Sequence, residues 1–252
     1  MALFDKIECR MTFNIKLVNY CFEINAINDI KDFYKDYLCN DNHVFSICTS
    51  ADEIEFERKK SNETSLKEFG KVINYKDSYL ETLVVYRKIV ECLIEKNILL
   101  IHGSCLGVDG NVYMFTGVSG VGKSTHASLW RKAFGDKVTM INDDKPLVEV
   151  KDEVIVYGTP YDGKHHLSNN MSGKLKAVCF IKQAKENSII ELSKIDAYMR
   201  ILRQTYSQPD EKNTKKTMEL LDSLVNKVKF YELSCNMELE AAELAYKTMK
   251  GE

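Results

Sequence analysis

The stretch Gly117-Val-Ser-Gly-Val-Gly-Lys-Ser124 has the residue types and spacing of a phosphate-binding loop, G-x-x-x-x-G-K-[ST]. Its glycines let the backbone curl so that successive N–H groups point inward, where they can hold phosphate oxygens. Lys123 is suited to bridge the terminal phosphates, and the Ser124 hydroxyl to ligate Mg²⁺. The expected nucleotide-binding set is Gly117, Ser119, Gly120, Val121, Gly122, Lys123, Ser124 and Thr125. A turn that was only a turn would need neither the Lys-Ser pair nor regular elements on both sides. Both elements are legible. Val112-Tyr-Met-Phe-Thr116 reads as a strand, and Thr125 to Phe134 as a helix stopped by Gly135. A helix starting at the loop adds its positive dipole end to the pull on an anion.

Phosphoryl transfer asks for cationic groups on the phosphates, a held metal, and a group that orients or deprotonates the acceptor. Asp143 and Asp144 follow the apolar run Lys137-Val-Thr-Met-Ile141, so they are expected at the exposed tip of a strand. One carboxylate could hold Mg²⁺, directly or through water, while the other takes the acceptor's proton; the sequence leaves the assignment open. The expected metal set is Ser124, Asp143 and Asp144, and the alternative for the aspartates is a turn or cap. His102, followed by Gly103 and Ser104, is a candidate contact to phosphate or to the carboxylates; a structural hydrogen-bonder is the plainer alternative. Lys164, closing Gly158-Thr-Pro-Tyr-Asp-Gly-Lys164, is a candidate clamp on phosphate or acceptor, against the default of a solvated lysine. His126, on the loop helix, lies near the site or faces solvent. The adjacent pair His165-His166 lacks a third ligand. Trp130 is expected in the core.

These residues need a scaffold. Within the run from Ile98 to Phe115, two apolar strands flank Asp109-Gly110, the signal of a tight hairpin. An antiparallel partner directly before the loop strand makes the sheet mixed, unlike a doubly wound fold. Further strands are expected at Leu147–Val150, Val154–Tyr157, Leu175–Ile181, Ile189–Leu192 and Lys229–Cys235. Asp196 to Lys229 reads as mostly helical with a break near Pro209, and Met237 to Met249 as a last helix capped by Asn236. Tyr79 to Lys96 shows helical spacing. Before it, residues 1–75 read as a small β-rich segment, with strands at Thr12–Tyr20, His43–Cys48 and Glu53–Glu57. The division is therefore 1–75 and 76–252, the latter carrying the chemistry.

Bulk properties narrow the classes. With 252 residues and 44% hydrophobic content, the chain can bury a sizeable core. A net charge of −2 offers no basic field for nucleic acid. No run approaches a membrane span, and the start lacks the build of a secretion signal, so a cytoplasmic location without a membrane partner is expected. The eight cysteines show no C-x-x-C and no zinc spacing, and read as small apolar residues in a reducing compartment.

Together, His102-Gly-Ser, the hairpin, Gly117 to Thr125 and Asp143-Asp144 resemble the catalytic domain of HPr kinase/phosphorylase and its short relatives, over roughly residues 80–190. The resemblance implies an α/β fold with a mixed sheet, sharing its nucleotide-binding core with phosphoenolpyruvate carboxykinases. It also implies ATP and Mg²⁺ as cofactors, and an aspartate of the pair as base towards a serine hydroxyl. The family's second, glycine-containing signature is not found, Gly158 to Lys164 standing in its place, so the resemblance by itself implies neither HPr as the substrate nor the phosphorylase reaction. The expected activity is ATP-dependent transfer of phosphate to a hydroxyl of a protein, peptide or small molecule, in a possible homo-oligomer. The alternatives are a nucleotide-responsive binding protein and, more remotely, carboxykinase-type chemistry.

Overall fold

The computed structural model describes residues 11–163, 166–207 and 210–251. Two units divide the chain, Met1–Cys92 and Leu93–Glu252, and the 75/76 change of sequence pattern lies within the first.

In the first unit, β1 (Met11–Leu17) and β2 (Tyr20–Ala26) form an antiparallel hairpin, and β3 (Phe45–Cys48) adds to β2 in parallel. The expected single strand Thr12–Tyr20 is broken at Val18, whose φ of 57° turns the chain. A 3₁₀ helix, Lys31–Tyr37, bridges the sheet's second and third strands. The expected strand Glu53–Glu57 is instead part of α1 (Ala51–Phe69). Ser50 decides this: its hydroxyl accepts from the Glu53 amide, and the Glu53 carboxylate accepts from the Ser50 amide, a complete capping box. Burial follows helical spacing, because Ile54 and Glu57 are buried while Phe56 is 58% exposed. A strand would have put Ile54 and Phe56 on one face. Glu57 is held by an ion pair with Arg87 on α2 (Asp77–Ile94). Also on α2, the fully buried Glu81 carboxylate accepts from the amides of Ile27 (2.7 Å) and Asn28 (2.8 Å) and from the Thr49 hydroxyl. A buried charge is tolerated only with such partners.

The second unit is built on a nine-stranded mixed sheet ordered β4-β8-β9-β10-β6-β5-β7, with β12 on β10 and β11 on β12. Its strands are β4 (Ile98–Leu100), β5 (Ser104–Val108), β6 (Asn111–Thr116), β7 (Thr139–Asn142), β8 (Leu147–Val150), β9 (Val154–Tyr157), β10 (Ser172–Gln183), β11 (Ser188–Glu191) and β12 (Lys229–Cys235). Asp109 (φ 49°) and Gly110 (φ 76°) make the tight turn between β5 and β6. Positive φ at both central residues is what matches a hairpin's twist. β10, the longest strand, runs parallel to β6 and β12 and antiparallel to β9.

Alternation along the central strands feeds two cores. Val112, Met114, Val178 and Phe180 face one, covered by Ala197 and Ile201 of α4 (Lys194–Leu202) and Leu220, Leu221 and Leu224 of α5 (Glu211–Lys227). Tyr113, Phe115, Ala177 and Cys179 face the other, covered by Trp130 of α3 (Lys123–Phe134) and Ala241, Ala242 and Ala245 of α6 (Leu239–Lys250). Because both faces are buried there, β6 and residues 177–181 of β10 read as continuous apolar runs. The Asn236 cap is corrected: α6 starts at Leu239 after Glu238, and the Asn236 side chain accepts from the Glu238 amide instead. Among the described residues, no helix is long and apolar enough to cross a membrane.

Candidate functional site

The loop from Gly117 to Gly122 leaves the C-terminal end of β6 and enters α3. Gly117, Gly120 and Gly122 have φ of 143°, 77° and 111°. At Gly120 and Gly122 an added Cβ would meet nothing within 4 Å, so backbone conformation and not crowding demands glycine there. Gly117 is tighter, since its Cβ would come 3.1 Å from Val121 Cγ1. Gln183, at the end of β10, donates to the Val121 carbonyl at 3.2 Å and ties the loop to the neighbouring parallel strand. No side chain caps α3, whose N-cap is Gly122. Its first amides are thus a donor set of the kind that receives anions.

Lys123 is buried at 8% exposure, and its ammonium donates to the carbonyls of Gly117 (3.0 Å) and Val118 (3.2 Å). The cation therefore lies folded over the loop it closes. Ser119, Ser124 and Thr125 are exposed, as a group meeting a ligand or metal from outside must be.

The aspartates stand apart in environment. Asp143 is 5% exposed; its Oδ1 accepts from the Ser104 hydroxyl at 2.7 Å, and its amide donates to Ser168 Oγ at 3.3 Å. A Cβ at Gly163 would approach Asp143 Oδ2 to 2.9 Å, so glycine at 163 leaves that oxygen its room. Asp144 is more open, and its Oδ1 lies 2.9 Å from His102 Nε2. Burial raises the Asp144 pKa, yet the His102 hydrogen bond and the charges of Lys145, His102 and Lys123 outweigh it and hold the carboxyl below its ordinary value. The influence of Lys123 joins the loop cation and Asp144 in one electrostatic site. His102 is itself strapped to the loop strand, since its carbonyl accepts from the Thr116 hydroxyl at 2.6 Å.

Asn142 is the organiser that the motif alone does not reveal. Fully buried, it donates from Nδ2 to Thr159 O (3.1 Å), Thr159 Oγ1 (3.1 Å) and Tyr161 O (3.4 Å). Its Oδ1 accepts from the amides of Asp144 (2.9 Å) and Lys145 (2.7 Å). The turn that separates the two carboxylates is thus pinned by one side chain. An Asn at a strand end is the only sequence signal for it.

His126 does not face solvent: it is 2% exposed, accepting at Nε2 from Trp130 Nε1 at 3.1 Å, while its amide donates to Gly122 O at 2.8 Å. Trp130 is fully buried, as expected. His166 pairs with Asp162 at 3.0 Å, while Lys164 and His165 lie outside the described residues. Among the described residues, no group of three or more His, Cys, Asp or Glu side chains is arranged to hold a metal ion. The arrangement is a cradle of amides with one cation, faced by a histidine–carboxylate pair. No family model matches the chain, and no curated protein matches it.

Proposed function

We propose that this chain is a cytoplasmic ATP-dependent phosphotransferase, resembling the short HPr-kinase-like enzymes, that moves the terminal phosphate of ATP to a hydroxyl. The observation that carries the reading is the positive-φ glycine loop closed by Lys123, whose charge reaches the Asp144 carboxylate. In this reading, the loop amides and Lys123 hold the phosphates and offset charge developing on them. Mg²⁺ usually takes one or two carboxylates and keeps substrate phosphates and waters as its other ligands. The Ser124 hydroxyl and the Asp144 carboxylate fit that demand; bound there, the ion would neutralise phosphate charge.

The His102–Asp144 pair is the proton acceptor. With Nε2–H directed at Asp144 Oδ1, the imidazole keeps Nδ1 for the acceptor's hydroxyl proton. Asp143, buried and engaged by Ser104, acts by positioning. The test is transfer from labelled ATP to acceptors in cell extract, with Asp144→Asn and Asp143→Asn made separately. Asp144→Asn is expected to lower transfer by about 10²–10⁴-fold with ATP affinity kept. ATP binding without transfer to any acceptor would support a nucleotide-responsive binding protein instead.

A further inference from the structure

In the first unit, the thiols of Cys21 and Cys39 meet at an Sγ–Sγ distance of 2.9 Å. Both backbones are fixed against β1. Cys21 pairs with Lys16 across the hairpin. The Cys39 amide donates to Asn14 O at 3.1 Å, and Leu38 bridges Ile15. The meeting is therefore imposed by the strand register and not by two free side chains. A disulfide needs about 2.05 Å between sulfurs, so about 0.9 Å of further approach completes the bond.

We propose that Cys21 and Cys39 form a reversible disulfide by exchange with a low-molecular-weight disulfide such as oxidised glutathione, making this pair an oxidative modification site. Exposure sets the order of events. Cys39 is half-buried and Cys21 is buried, so Cys39 is the entry point. Its thiolate attacks one sulfur of the oxidant, releasing one glutathione thiol and leaving a mixed disulfide on Cys39. Cys21 then loses its proton and attacks Cys39 Sγ, expelling the second glutathione as thiol. Two protein thiols are oxidised, one external disulfide is reduced, and no other reagent is consumed.

Cys21 suits the second step and not the first. Burial, the hydrogen bond with Cys39 and the Cys39 charge push its pKa up to about 12. Capping Cys39 as a mixed disulfide removes both Cys39 contributions, so that burial and the Asp41 charge still raise the value against the Lys16 ammonium, and Cys21 becomes easier to deprotonate than in the dithiol. The product closes the chain from the start of β2 to just beyond the 3₁₀ helix. In reducing compartments such bonds occur mainly as transient or sensing disulfides, which suits a reversible pair.

The test is native protein incubated with oxidised glutathione, trapped with an alkylating reagent, and mapped by digestion and mass spectrometry. Expected is a peptide joining Cys21 to Cys39, outnumbering the mixed disulfide at Cys39 by at least about tenfold, because the second thiol is already in place. Cys21→Ser is expected to stop at glutathione on Cys39, and Cys39→Ser to leave residue 21 unmodified. Addition of reduced dithiothreitol should restore both thiols. Recovery of both cysteines alkylated, or accumulation of the Cys39 mixed disulfide in the unaltered protein, overturns the proposal. These outcomes are independent of any phosphotransferase activity.

Discussion

Acidification should destabilise the second unit through a single histidine. His126 accepts the Trp130 indole N–H at Nε2, so its own proton sits on Nδ1. That atom is buried and has no hydrogen-bond partner among the described residues. The edge of the ring contacts Phe115, with centroids 4.6 Å apart. Adding a proton would place a charge among aromatic rings, and burial lowers the pKa from 6.5 to about 4. The sign follows from linkage. An unfolded chain takes up this proton near pH 6.5, the folded chain only near pH 4, so the unfolded state binds more protons between the two. Stability is complete above about pH 6.5 and falls as pH drops towards 4. At about 1.4 kcal/mol per pKa unit, the loss approaches about 3 kcal/mol at the lower end. Urea unfolding followed by fluorescence measures it directly, since Trp130 is the chain's one tryptophan and contacts the histidine. His126→Gln keeps an acceptor for the indole and does not titrate. Carboxylates such as Asp144 titrate in both proteins and cancel in the difference. The gap between variant and parent should therefore change by about 3 kcal/mol across the window. Parallel pH profiles would refute the reasoning.

Two further changes probe the site. Gly122→Ala meets no atom but forces alanine to φ 111°, at a cost of about 1–2 kcal/mol. ATP affinity measured by equilibrium dialysis should fall about 5–30-fold, and unchanged affinity would contradict the demand for left-handed backbone there. Asn142→Ala strands two amides and the carbonyls of Thr159 and Tyr161, so urea unfolding should show a loss of about 3 kcal/mol or more. A loss below about 1 kcal/mol would mean that the aspartate turn is held by something else.

Much of the second unit is legible because its signals are local. The bounds of β8, β9 and β12 follow directly from apolar runs between turn residues. The β5–β6 hairpin follows from Asp109-Gly110, and the end of α3 from Gly135. The first unit resists for physical reasons. Glu53 to Glu57 alternates over too few residues to separate a strand from a helix, and the capping box at Ser50 outweighs the alternation. Val18 occupies positive φ against its β-branched preference, so nothing local marks the turn. The parallel pairing of β3 with β2 is non-local. In the site, the loop residues are readable from spacing, whereas the division of labour between Asp143 and Asp144 is not. It depends on Ser104, His102 and the 158–163 loop, which reach the aspartates only through the sheet. The contact between Cys21 and Cys39 is equally invisible, being set by the β1–β2 register and by the non-local hold of residues 38 and 39 on β1.

Calorimetric titration of the purified chain with ATP and magnesium, beside Lys123→Ala, reaches the central claim most directly. Expected is single-site binding in the parent, and a strong loss when the ammonium that closes the loop is removed. The absence of heat from both ATP and GTP, or equal binding by parent and variant, would contradict the assignment of this loop as a triphosphate cradle.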